Sequence, residues 1–173
     1  IAQPAISHID AKVDISPQTG KAVYALSYTL ENRTPEPVSQ LLIGNYSATV
    51  IDALQLSVAF TSEFDQQLGQ YTLQLAEALA PGDTVQLDST LIYTQPRHWP
   101  AVMPQLVKPS FSYLRGMPLL PTIGFQQEYR LRDEQLRRQY ALAPLDLAKP
   151  SELFAIPKTT QASYDWFTLH SVV

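Results

Sequence analysis

The chain reads as an all-β protein, a β-sandwich. Three observations point there. Several long stretches alternate apolar and polar residues with period two, the mark of half-buried strands. Prolines number 14 against 6 glycines, and proline is excluded from helix interiors and central strands, so short elements on stiff connections follow. Only one short segment, Asp133 to Leu142, carries helix chemistry.

The elements follow in order. "AISHIDAKVDI" places Ala5, Ser7, Ile9, Ala11, Val13 and Ile15 on one face and His8, Asp10, Lys12 and Asp14 on the other. "SPQTGK" is a turn, and "AVYALSYTLEN" returns with Ala22, Tyr24, Leu26, Tyr28 and Leu30 on one face, which predicts a hairpin. "QLLIGNY" is a short apolar strand. "TVIDALQLSVAF" reads as one strand with Leu54, Leu56, Val58 and Phe60 together, and "TSEFDQQLGQ" as a polar turn region. "YTLQLAEALAPGDTVQLDSTLIY" reads as a second hairpin. Tyr71, Leu73 and Leu75 alternate, Pro81-Gly82 suits a type II turn, and Val85, Leu87, Ser89, Leu91 and Tyr93 return. Thr94 to Ser110 holds four prolines and no period, so an irregular loop is expected. In the helix, Asp133 caps, Glu134 lies in the first turn, and Arg137 and Arg138 lie later, as the helix dipole favours. "YDWFTLHSVV" closes with a strand. The length, 173 residues, suits one domain. The chain starts at Ile1 and stops inside a strand-like run, so the expectation is a single domain, 1–173, excised from a longer protein.

Composition removes several function classes. Net charge is -4 and the pI is near 5.3, so bulk electrostatics does not favour nucleic acid. Cysteine is absent, which removes disulfides, thiolate catalysis and zinc–thiolate sites. No apolar run reaches the ~18 residues of a membrane span. The histidines, 8, 98 and 170, have no zinc-ligand spacing and no H-E-x-x-H. Serine-nucleophile motifs and a glycine-rich phosphate loop are missing. Asp133 and Glu134 are adjacent and diverge by ~100° on a helix, a cap and its neighbour rather than an acid–base pair. His8 and His170 read as solvated strand residues. Arg97, His98 and Trp99 in "PRHWP" form a candidate ligand loop, able to stack and hydrogen-bond, beside the simpler reading of a loop anchored by its tryptophan.

Charge gathers in one place: Glu128, Arg130, Arg132, Asp133, Glu134, Arg137 and Arg138 follow "LLPTIGF". Together, "LAEALAPGDTVQL", Phe111, "LLPTIGF" and "YRLRDEQLRRQYAL" carry a resemblance. The chain resembles the amino-terminal β-domain of the extracytoplasmic, aminopeptidase N-like region of bacterial ABC transporter permease/aminopeptidase fusion proteins. That resemblance implies a saddle-shaped sandwich packed on a following domain. Zinc ligands and general base would lie in that following domain, so no catalytic, metal or cofactor residue is expected in this one. Active relatives lend a Gln or Glu just before the LP element, where this chain reads "FSYLRGMPLLP" with neither. The resemblance further implies a periplasmic setting at the bacterial inner membrane. The partners it implies are the following aminopeptidase-like domain, the transmembrane permease segments and, indirectly, an ABC ATPase.

Three functions compete on this reading: a non-catalytic extracytoplasmic structural and interaction domain, the substrate-side domain of a working zinc aminopeptidase, and a carbohydrate- or ligand-binding sandwich. Gly124, Arg130, Arg132, Asp133, Arg137 and Arg138 are the candidate domain-docking residues.

Overall fold

The computed structural model describes residues 1–44, 49–96, 106–114, 120–124, 131–144 and 167–173. Strands β1 (Ala5–Ser16), β2 (Lys21–Glu31), β3 (Val38–Gly44) and β4 (Thr49–Leu56) come first. Next are β5 (Phe60–Asp65), β6 (Gln70–Leu79) and β7 (Thr84–Thr94). The remaining elements are β8 (Leu106–Lys108), β9 (Phe111–Tyr113), β10 (Thr122–Ile123), a helix α1 (Glu134–Gln139) and β11 (Thr168–Val172). They form a five-stranded sheet, β11-β1-β2-β7-β4, a four-stranded sheet, β10-β3-β6-β5, and a small hairpin, β8-β9.

The two larger sheets share one core, so the all-β sandwich is the observed fold. From the five-stranded sheet come Ile9, Tyr24, Leu26, Tyr28, Leu30, Val85, Leu87, Leu91 and Tyr93; from the other come Val38, Leu41, Ile43, Leu73 and Leu75. Each large side chain removed from water is worth about 1.5–3 kcal/mol, so this cluster is what pays the ordering entropy of the strands. The inner faces of β2 and β7 match the alternation in the sequence residue for residue. The β1–β2 hairpin is observed, paired from Ala5↔Glu31 to Ser16↔Lys21.

Five expectations need correction. β1 carries an irregularity between Ile6 and His8, so Ser7 leaves the inner set and its hydroxyl donates to the Thr29 carbonyl at 3.0 Å. "TVIDALQLSVAF" is two strands in different sheets. β4 pairs with β7 and β5 with β6, and Val58 sits exposed in the crossover between them. Part of the expected polar turn, Thr61 to Asp65, is therefore strand. The Pro81-Gly82 turn does not close a hairpin, because β6 pairs with β3 and β5 while β7 pairs with β2 and β4. It carries the chain from one sheet to the other. Gly82 has φ +86 and Asp83 N donates to Ala80 O at 3.0 Å, so the local turn is as expected although its partners are not. Lastly, Leu106–Lys108, expected within the irregular loop, pairs with β9, and Val107 is buried.

Asn32 fastens the end of β2. It is fully buried, its Nδ2 donates to Glu36 O (2.9 Å) and Leu79 O (2.8 Å), and its Oδ1 accepts from Thr34 N (3.0 Å). Its backbone meets the crossover turn: Asn32 N donates to Asp83 O and Gly82 N donates to Asn32 O.

Candidate functional site

Two regions carry polar groups whose arrangement exceeds what the core needs. The first is the outer face of the five-stranded sheet. Period-two alternation that buries Ile9, Leu26 and Leu87 turns Asp10, Ser27 and Asp88 outward. Strand register then sets one row across five strands: His170, Asp10, Ser27, Asp88 and Gln55. The next row is Val172, Lys12, Ala25, Thr90 and Ala53. Small residues in the middle and longer ones at the margins leave an open concavity of about 740 Å³, lined by both rows. Sheet twist gives such a surface its curvature.

At its margin, His8, Asp10 and His170 form a cluster. The Asp10 carboxylate accepts on both oxygens, from His8 Nε2 at 3.1 Å and His170 Nδ1 at 3.1 Å. The other nitrogen of His8 meets the hydroxyl of Thr168. The order hydroxyl–imidazole–carboxylate is that of an activated nucleophile. Here, however, the side chains stand on open surface, and the Thr168–His8 contact and the His170–Asp10 contact both join β11 to β1. What the arrangement achieves is the fastening of an edge strand. Among the described residues no three His, Cys, Asp or Glu side chains converge to hold a metal ion.

The second region is the segment after Leu120. Leu120 is buried in the shared core and the Tyr28 hydroxyl approaches the Pro121 carbonyl at 3.5 Å. Thr122 and Ile123 pair with Gly44 and Ile43, so β10 closes the edge of the four-stranded sheet. Gly124 then turns at φ +89 while its N–H donates to Leu42 O at 2.8 Å. A Cβ at Gly124 would lie 3.4 Å from Gln3 Cγ. Gln3 matters here because its amide imitates a strand residue beside β3: Nε2 donates to Gln40 O and Oε1 accepts from Leu42 N, both at 2.8 Å.

Beyond this turn lies α1. Asp133 is its N-cap and accepts from Leu136 N at 2.9 Å, as the sequence implies. The helix buries none of its residues. Arg137 folds back on its own loop, donating to Leu131 O at 2.8 Å through Nη1 and to Ala143 O at 2.9 Å through Nε. Arg138 pairs with Glu134 across one turn at 3.4 Å, both widely exposed. Arg132 is exposed. Arg130 and the ligand-loop residues Arg97, His98 and Trp99 lie outside the described residues. The structure thus brings Asp133, Arg137 and Arg138 onto one short helical unit and sets Gly124 apart, on the sheet edge.

Burial acts on two tyrosines of the core. Desolvation, with the neighbouring Tyr93, pushes the Tyr24 hydroxyl up to about 12, and desolvation raises Tyr28 further. The Tyr24 hydroxyl has no hydrogen-bond partner in the structure.

Sequence reasoning treated His8 and His170 as separate solvated residues. The signal for His8 was present, since Asp10 lies two residues along on the same strand face. His170 could not be placed, because its contact depends on a parallel pairing across most of the chain.

Solved structures similar to this chain include M1 zinc metallopeptidases. One is the M1 zinc metallopeptidase from Deinococcus radiodurans, at 18% identity and TM-score 0.49, covering 69% of this chain and 28% of that one. Another is a point mutant from the same organism bound to a Tyr-Ser-Ala substrate, at 20% identity and TM-score 0.49, covering 69% of this chain and 29% of that one. The chain therefore spans less than a third of the length of either. No protein-family model matches the chain, and no curated protein does.

Proposed function

We propose that this chain is a non-catalytic, extracytoplasmic structural and interaction domain of an ABC-type transport permease with an aminopeptidase-like region. The observation that carries the reading is the fate of the "LLPTIGF" element, on which the sequence resemblance rests. Its described residues are built into the sandwich as the closing strand of a sheet and a glycine turn. Further along the chain stands an exposed charged helix. In this reading the segment from Leu120 to Leu142 is a frame for a neighbouring domain. Zinc, where the parent protein binds it, belongs to that neighbour, and the membrane-spanning permease and its ATPase are the larger assembly. Among the described residues of this segment Arg132 and Arg138 are exposed, Arg138 beside Glu134, and the reading assigns them to a partner's carboxylates. Such contacts set geometry more than affinity.

The experiment is fractionation of the native protein that contains this chain. It should sediment with inner-membrane vesicles, lose this domain to protease added outside spheroplasts, and co-purify with an ATPase subunit. A soluble protein that turns over aminoacyl chromogenic substrates would overturn the reading in favour of a working aminopeptidase.

A further inference from the structure

The concavity on the outer face of the five-stranded sheet owes its shape to short side chains at central positions. Ala25, Thr90 and Ala53 stand at one register level on β2, β7 and β4, and Ser27 lies two residues along β2 from Ala25. Ala25 and Ala53 are exposed. Alanine is a poor strand residue, and a sheet face that meets only water gains more from β-branched or longer side chains packed across strands. The truncation leaves a hollow of about 740 Å³, a volume typical of small-molecule sites.

The polar groups around this floor are uncommitted. Lys12, Ser27, Gln55, Asp88 and Thr90 all line it, and among the described residues their side chains form no hydrogen bond or ion pair. Ser27, Asp88 and Gln55 are direct register neighbours, yet none bonds to another. The adjoining level differs. There Gln86 Nε2 donates to Thr29 Oγ1 at 3.0 Å, and His8 is held between Thr168 and Asp10.

Charge narrows the ligand. Asp10 is engaged by His8 and His170, so the free charges are the Asp88 carboxylate and the Lys12 ammonium, of opposite sign. Together they favour neither an anion nor a cation. Ser27, Thr90 and Gln55 each donate and accept. A neutral ligand dense in hydroxyls, which do both as well, can engage this set without burying an uncompensated charge of its own. Its C–H faces suit the methyl groups of Ala25 and Ala53.

We propose that this concavity binds a neutral, hydroxyl-rich ligand, a short oligosaccharide lying across β2, β7 and β4. Asp88 accepts from ligand hydroxyls at the centre, Ser27, Gln55 and Thr90 surround it, and Lys12 donates from the β1 side. The hollow is open and no aromatic side chain lines it among the described residues, so dissociation constants on the order of 1 mM are expected.

The test is amide chemical-shift mapping of the isotope-labelled chain. It is titrated separately with maltotriose, cellotriose, spermidine and triglycine, each up to about 50 mM. At least one trisaccharide should shift the amides of residues 25–27, 53–55 and 88–90, and more tightly than spermidine or triglycine does. Ala25→Leu fills the floor and Asp88→Ala removes the central acceptor, so each should weaken that binding about ten-fold. Glu63→Gln, on the other sheet, should leave it unchanged. Asp88 is exposed, so its variant decides the matter if Ala25→Leu alters the melting temperature. Absence of shifts with both trisaccharides overturns the proposal, as do shifts confined to other strands or binding that Asp88→Ala leaves intact. Tighter binding of spermidine or triglycine overturns it in favour of a cation or a peptide.

Discussion

Replacing Asn32 with alanine tests whether one buried amide holds the sandwich's turn end together. The side chain is fully buried, with both Nδ2 protons given to carbonyls and Oδ1 accepting from Thr34. Truncation leaves the buried Leu79 carbonyl unsatisfied, at a cost of about 1–3 kcal/mol. The contacts to Glu36 and Thr34 are only partly buried, and water can replace them, so each adds about 0.5–1.5 kcal/mol. The sum is about 2–6 kcal/mol, a large share of the 5–15 kcal/mol typical of a whole domain. At roughly 2–4 °C per kcal/mol for a chain of this size, the melting temperature should fall by roughly 10 °C. Urea unfolding followed by circular dichroism checks this, with an unchanged slope and a lower midpoint. Asn32→Asp is the sharper variant. It keeps shape and acceptors but turns both donors into an oxygen facing two carbonyls, so it should lose at least as much at pH 7. If either variant falls within about 0.5 kcal/mol of the parent, the level of ordinary surface changes, the buried amide is not what joins the end of β2 to the crossover.

Gly124→Ala should cost about 1–3 kcal/mol, because φ +89 strains any Cβ and Gln3 stands close; thermal melts decide, and a loss near zero would show that the turn rearranges freely. Alkaline pH should destabilise the chain through Tyr24. Its raised folded-state pKa contributes stability present in full below pH 10 and lost as pH rises through about 12, up to about 2–3 kcal/mol. Urea midpoints between pH 8 and 11.5 should fall less steeply in Tyr24→Phe, which also removes a buried hydroxyl without a partner; parallel slopes would refute the assignment. Arg137→Ala should raise amide exchange in residues 134–142 several-fold while leaving the global urea midpoint unchanged, since α1 buries nothing; Arg138→Ala should change neither exchange nor midpoint, its pair being exposed.

What local pattern controls was legible in the sequence. Alternation placed Tyr24 to Leu30 and Val85 to Tyr93 inward, because side chains in a strand must alternate whatever the strand pairs with. The capped helix at Asp133 and the glycine turn at Gly82 were readable for the same reason: their hydrogen bonds close within a few residues. Pairing was not readable. The turn at Pro81-Gly82 looks the same whether it folds a hairpin or passes from one sheet to the other, and only burial of Leu73 and Leu87 on two facing sheets decides between them. "TVIDALQLSVAF" hid a sheet crossover because both halves are apolar enough to be strand. Ser7 slipped out of phase through an irregularity that no alternation announces.

The candidate surfaces divide in the same way. Asp133, Arg137 and Arg138 could be set on one helix from spacing alone, but the return of Arg137 to Leu131 and Ala143 depends on how the loop closes. The outer concavity and its His8–Asp10–His170 margin exist only because β11 lies parallel to β1 and β2 lies between β1 and β7. By itself the sequence determined which residues turn inward along β2 and β7 and where the Pro81-Gly82 turn and the Asp133 cap form. The tertiary structure alone decided which strands become neighbours, because that choice rests on the joint burial of two sheets across a shared core, a sum over distant residues that no local stretch contains.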